Sequence, residues 1–259
     1  MEDIYEAYDY LCNEPYYLPK IGTIHNPTLR DIRKITYAVF TIYLNMCSTK
    51  SVQDYCKTFS LQEFYDSMPE EQRQNISLYE IILLCTPQFL FGLLNFFIEE
   101  DIELDSETFQ FIVYKEKNTT KEVVGMVTKE NFDALRNQIL KILGLKPVGI
   151  EKKKKYKNER VRRLCEKIER EKAKNEQAKK VNDDYSLENM IRKYCTYNNV
   201  GINILNVWDM TFYQFNVMFS EYNTSRQITF NDAMAANSFS FKESGDYKPA
   251  LWIKKSSEN

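Results

Sequence analysis

The sequence predicts a mainly α protein: a multi-helix body with one small β-hairpin, followed by a C-terminal helical unit. Three observations carry this reading. Apolar residues recur at helical spacing over several windows, helix-starting and helix-stopping residues flank those windows, and 259 residues contain only seven Gly and seven Pro. Glycine and proline at that level leave little material for the tight turns of a sheet-rich fold.

The elements follow in order. After a Tyr-rich start read as extended and the bend Pro19-Lys20-Ile21-Gly22, the residues Leu29, Ile32, Ile35, Val39, Phe40, Tyr43, Leu44 and Cys47 keep the helical period. Their spacing predicts one amphipathic helix over residues 28–47. Ser60-Leu61-Gln62-Glu63 has the capping-box pattern and predicts a short helix ending near Met68-Pro69. Ser77 and Glu80 repeat that pattern before the apolar run Ile81–Ile98.

That run approaches the length of a membrane span. Pro87 and Gln88 interrupt it, Asn95 stands near its end, and Glu80 and Glu99-Glu100-Asp101 flank it, so the expectation is a buried helix pair broken at Thr86-Pro87 with no membrane contact. Phe109, Phe111 and Val113 then alternate with polar or outward positions, and a turn around Asn118-Thr119-Thr120 leads to Val123-Val124, predicting the hairpin near 108–127. Thr128 is placed to cap a helix through Phe132, Leu135, Ile139 and Leu143, stopped by Gly144 with Pro147 beyond.

Charge divides the remainder. Residues Lys152–Lys180 hold 14 Lys and Arg against five Glu, a net of +9, while the rest of the chain carries 21 basic and 32 acidic residues, a net of −11. Glu159–Arg163, Glu166–Arg170 and Glu176–Lys180 are i,i+4 pairs that suit an exposed helix. The expected organisation is therefore an N-terminal body at 1–146, a basic helix or linker at 147–184, and a C-terminal unit at 185–259. Within that unit Ser186 is placed to cap Leu187–Cys195, and Asp209 or Thr211 to cap a helix with Phe212, Phe215, Phe219 and Tyr222 on one face; residues 238–259 read as an extended tail.

Catalytic chemistry lacks its usual parts. The single His25 sits beside Asn26-Pro27, and cysteines 12, 47, 56, 85, 165 and 195 are too scattered to make a zinc set, so the expectation is reduced thiols, no metal and no cofactor. Phosphate-binding glycine loops, nucleophile elbows and metalloprotease helices have no counterpart in the sequence. The acidic start Glu2-Asp3 differs from the basic start of an export signal. A non-enzymatic protein that is not exported is expected.

Several stretches, in order, resemble the tail assembly chaperones of siphovirus-like phages and prophages of low-GC Gram-positive bacteria. They are Ile21-Gly22-Thr23-Ile24-His25-Asn26-Pro27-Thr28-Leu29-Arg30-Asp31-Ile32, then Leu94–Ile98, Val127–Arg136 and the charged stretch from Asn158. The most specific is Ile204-Leu205-Asn206-Val207-Trp208-Asp209-Met210-Thr211-Phe212-Tyr213-Gln214-Phe215, similar to the family's Trp-Asp-Leu-Thr-x-Tyr-Gln-Leu element. The end of the chain departs from the family, with Ala233–Ala236 and Trp252 where a further Trp-rich segment is expected.

The resemblance implies a protein of the bacterial host cytoplasm that holds tape measure or tail tube subunits during tail construction, with a homo-oligomer as one open arrangement. Such a client presents apolar helix stripes, which aromatic and Met-bearing grooves cover reversibly. Trp208, Tyr213, Met218 and Phe219 are the candidate groove residues, with ordinary core packing the competing reading of each. Two further readings stay open. One is a structural neck, baseplate or tail component. The other is a nucleic-acid-binding phage protein in which Lys152, Lys153, Lys154, Lys155, Lys157, Arg160, Arg162 and Arg163 neutralise phosphates, although the sequence pI near 5.7 argues against a general DNA coat.

Overall fold

The computed structural model describes residues 5–117, 120–149 and 186–236. The basic segment 152–180, the tail 238–259 and the two central residues of the predicted hairpin turn lie outside them. The chain divides into two compact units, one of Met1–Ile150 with Trp208–Gln214 and one of Glu151–Val207 with Phe215–Asn259. Residues Trp208–Gln214, read from sequence as part of the C-terminal unit, thus belong to the first.

The first unit opens with an antiparallel hairpin, β1 (Tyr16–Leu18) and β2 (Gly22–Ile24), where only an extended start and a bend were expected. Beyond it, Thr28 caps α1 (Leu29–Ile35) through a full capping box with Asp31. Burial alone pushes the Asp31 carboxyl up. Hydrogen bonds from Thr28 and Lys34 outweigh it and hold the group well below the ordinary carboxylate range. His25 Nε2 lies 3.2 Å from Asp31 Oδ2 and joins the same cluster, a structural role for the lone histidine.

The single helix expected over 28–47 is instead two helices, α1 and α2 (Tyr37–Ser48), separated by Thr36 at φ 72°. Both bury faces in one core, so the apolar period runs through a break that a β-branched residue in the left-handed region imposes. α3 (Val52–Thr58), α4 (Gln62–Ser67) and α5 (Glu70–Asn75) follow. The capping box proposed for Ser60 is absent: Ser60 takes φ 57°, and Leu61 stands at the N-cap without a side-chain bond.

The Ser77 box is present, with the Ser77 hydroxyl accepting from Glu80 N and the Glu80 carboxylate accepting from Ser77 N. It opens α6 (Leu78–Cys85), and α7 (Pro87–Phe97) starts on Pro87 after a 112° bend. Proline suits a first helical turn because its missing N–H has no partner to lose there. Among the described residues no single helix is long and apolar enough to cross a membrane; only this bent pair reaches the composition, and Ile81, Ile82, Leu90, Leu93, Leu94 and Phe97 are buried within the protein.

The predicted hairpin forms as β4 (Gln110–Lys117) and β5 (Thr120–Val127), and β3 (Asp101–Asp105) adds an unexpected third strand in the antiparallel order β3-β4-β5. α8 (Phe132–Ile142) ends as expected at Gly144, which takes φ 73°. Its start differs from the expectation for Thr128. The Asn131 side chain accepts from Thr128 N at 2.8 Å and donates to Met126 O at 2.7 Å, so asparagine ties the strand to the helix while the Thr128 hydroxyl makes no cap.

At the centre, α2 packs against α7 and α8. Arg136 on α8 is 6% exposed and donates to Cys47 O and Thr49 O, covering the carbonyl end of α2 with a cation. Glu100 forms a second buried ionic centre: its side chain is 1% exposed and accepts from Thr23 N, Thr23 Oγ1 and Lys115 Nζ. The described cysteines carry free thiols.

In the second unit Ser186 caps α9 (Leu187–Tyr197) by accepting from Asn189 N, as its sequence position predicts. The remaining long helix, α10 (Phe212–Ala235), supplies Phe215, Phe219 and Tyr222 around the Tyr194 ring at centroid distances of 5.9, 6.5 and 5.7 Å. Between them, Asn198, Asn203 and Asn206 close a chain of turns with side-chain bonds to nearby backbone groups, and that loop leaves Leu205 82% exposed.

Candidate apolar clefts

Residues 27–30 and 209–212 meet in the first unit. Leu29 N donates to Met210 O at 2.9 Å, Phe212 N donates to Pro27 O at 2.9 Å, and Arg30 reaches Asp209 at 2.7 Å. Gln214 adds a bond to Leu11 O and accepts from Thr211 N, while the Thr211 hydroxyl accepts from Gln214 N. The Asp-Met-Thr-Phe-Tyr-Gln stretch therefore works as a strap: its polar residues cap and tie, and its Phe212 is buried.

The four candidate groove residues fall on both units, Trp208 and Tyr213 on the first and Met218 and Phe219 on the second. Trp208, on the short turn Val207–Asp209, is half-buried. Tyr213 is half-buried, with its ring 5.9 Å from that of Tyr10 and close over Gly144. Met218 is 36% exposed, and Phe219 stacks on Phe215 with centroids 6.0 Å apart. The electrostatic candidates from Lys152 to Arg163 lie outside the described residues.

A larger apolar surface escaped the sequence reading. Met68, Ile76, Leu83 and Leu84 from the α4–α6 region face Phe109 across a cleft of about 670 Å³, with Glu80, Lys129 and Glu130 on its polar side. Leu84 and Phe109 stand at 64% and 61% exposure. A cleft of this size, apolar with a few charged groups, has the general make-up of a binding site.

Phe109 owes its position to backbone geometry. Strand alternation places it inward with Phe111 and Val113, and those two are buried, but Phe109 takes φ 54° and turns outward. Its carbonyl accepts from the Tyr79 hydroxyl at 2.9 Å, a group that burial pushes up to about 12. A bulky residue in the left-handed region is uncommon, and unusual backbone held by surrounding contacts concentrates at functional surfaces. No local sequence signal marks this, because Leu84 and Phe109 come together only through the tertiary contact of α6 with the strands.

Among the described residues no group of three or more His, Cys, Asp or Glu side chains is arranged to hold a metal ion.

Residues 174–257 match the family model described as the YomV second domain. This part of the chain is similar to that domain. The family is phage-associated, and the match fits a phage protein. No curated protein and no solved structure matches the chain.

Proposed function

We propose that this chain is a non-enzymatic, cytoplasmic phage tail assembly chaperone. It covers an apolar helix face of the tape measure protein, or an equivalent tail tube surface, until the tail encloses it. The observation that carries the reading is the cleft between α6 and Phe109, which offers exposed Leu84 and Phe109 beside the Glu80–Lys129 ion pair of 3.5 Å. An amphipathic helix docks into such a groove through spaced apolar anchors, with charged residues at the rim fixing its register. The phage-associated family match over residues 174–257 and the ordered resemblance to tail chaperones support the biological setting.

A transient chaperone separates from the finished particle. Mass spectrometry of lysates from the producing cells is expected to detect the chain, and purified tails are expected to lack it. Stoichiometric amounts in mature tails would instead identify a structural neck, baseplate or tail component.

A further inference from the structure

The backbone between α1 and α2 is strained at one residue. Thr36 holds φ 72° and ψ 148°, a region that glycine occupies and β-branched residues avoid. It is exposed and its side chain makes no cap bond, so the side chain does not account for the conformation. Hydrogen bonding is also incomplete at the break. Phe40 N donates to Thr36 O at 3.1 Å, but Tyr37, Ala38 and Val39 stand at the first three positions of α2, where no preceding turn supplies a carbonyl.

A continuous helix over residues 29–48 would lift both penalties. Leu29, Ile32, Val39, Phe40, Tyr43 and Cys47 already keep one apolar stripe through the break. In that helix the amides of Tyr37, Ala38 and Val39 would donate to the carbonyls of Arg33, Lys34 and Ile35. The strap opposes it. Leu29 N is bound to Met210 O, Phe212 N to Pro27 O, Thr28 and Thr211 form an antiparallel bridge, and Arg30 pairs with Asp209. The same segment holds α2, because the Phe212 ring packs on that of Phe40 with centroids 5.3 Å apart. Residues 209–212 thus grip both arms of the elbow.

We propose that α1 and α2 form a latched elbow: residues 209–212 hold it bent, and their withdrawal lets residues 29–48 join into one helix. Straightening relieves Thr36 and adds three backbone hydrogen bonds, while bending keeps the strap contacts and the burial of Leu29 and Ile32. Opposing gains of this kind make a two-state element, and occupancy of the latch decides between the two arrangements. The elbow does not involve the cleft beside Phe109, so either assignment can fail alone.

The test follows amide hydrogen exchange in the isotope-labelled full chain. In wild type the Tyr37, Ala38 and Val39 amides are expected to exchange near the unprotected rate. Phe212→Ala removes the latch ring, and in the folded variant those three amides should become at least about tenfold slower. Simple destabilisation would speed exchange throughout, so slower exchange confined to residues 37–39 reports the straightened helix. Adding Thr36→Gly should reverse the gain, because glycine fits the bent backbone and weakens a continuous helix. In the wild-type background Thr36→Gly should melt about 2 °C or more above Thr36→Ala. If Phe212→Ala fails to fold, the exposed pair Arg30→Ala/Asp209→Ala becomes the decisive latch variant. A folded latch variant whose residues 37–39 exchange as fast as in wild type, or a Thr36→Gly chain no more stable than Thr36→Ala, overturns the proposal.

Discussion

Phe40→Ala is expected to lower the free energy of unfolding by about 3–5 kcal/mol, the cost of emptying a fully buried aromatic site. Phe40 is 0% exposed and lies on α2, the helix that α7 and α8 pack against. Its ring meets those of Phe212 at 5.3 Å and Phe96 at 6.2 Å, so truncation removes edge-to-face contacts as well as apolar burial. The loss also loosens the strap, because Phe212 depends on that contact. For a chain of this size the melting temperature should fall on the order of 10 °C. Thermal and denaturant unfolding check it, and a change below about 1 kcal/mol would show that α2 does not sit at the centre of this core.

Glu100→Ala is expected to cost a similar amount, about 3–5 kcal/mol at neutral pH, by a different route. The Glu100 carboxylate accepts from Thr23 N at 2.8 Å and Thr23 Oγ1 at 2.7 Å, and pairs with Lys115 Nζ at 3.3 Å. Removing it leaves inward-facing donors unpaired between β2 and the sheet. Gly22 shows how closely the site is fitted, since a Cβ there would meet Glu100 Oε2 at 2.8 Å, and its φ of 142° disfavours any side chain.

The pH dependence of this contribution has a definite sign. Burial pushes the Glu100 carboxyl up, but the Thr23 and Lys115 hydrogen bonds outweigh it and leave the group below its ordinary value. The stabilisation is therefore complete above the unfolded Glu range near pH 4 and is lost as pH falls through the lower folded value. Unfolding free energies of wild type and Glu100→Ala should converge as pH drops below about 4. A gap that stays constant or widens there would contradict the ionised assignment.

Local chemistry made much of the fold legible. Ser77 with Glu80, Pro87, Gly144 and Ser186 announce helix ends through backbone groups only a few residues away, and each behaves as its sequence position predicts. Elements defined by distant partners were hidden. β3 presents Asp101, Glu103 and Asp105 with only Ile102 buried, so its strand character comes from pairing with β4 and not from its own pattern. Thr36 interrupts a perfect apolar period because burial follows side-chain spacing and is indifferent to the sign of φ.

The candidate sites divide along the same line. Trp208, Tyr213, Met218 and Phe219 are legible as aromatic or Met residues of the C-terminal segment, yet residue type cannot separate packed positions from open ones. The strap between residues 27–30 and 209–212 joins stretches about 180 residues apart in the sequence, a tertiary pairing that no local pattern announces. The cleft beside Phe109 depends on one backbone reversal and on Leu84, which strand alternation and helix periodicity both assign to the interior.

The most direct measurement of the chaperone account is capture of the tape measure protein from the same phage by wild type and by the double variant Leu84→Asp/Phe109→Asp. Both side chains are mostly exposed, so the variant should keep its melting temperature within a few degrees. Charge placed on both anchors of the cleft should weaken capture at least about tenfold, the loss of two apolar hot-spot contacts. A folded double variant that captures the tape measure protein as well as wild type would contradict the assignment of this cleft as the client site.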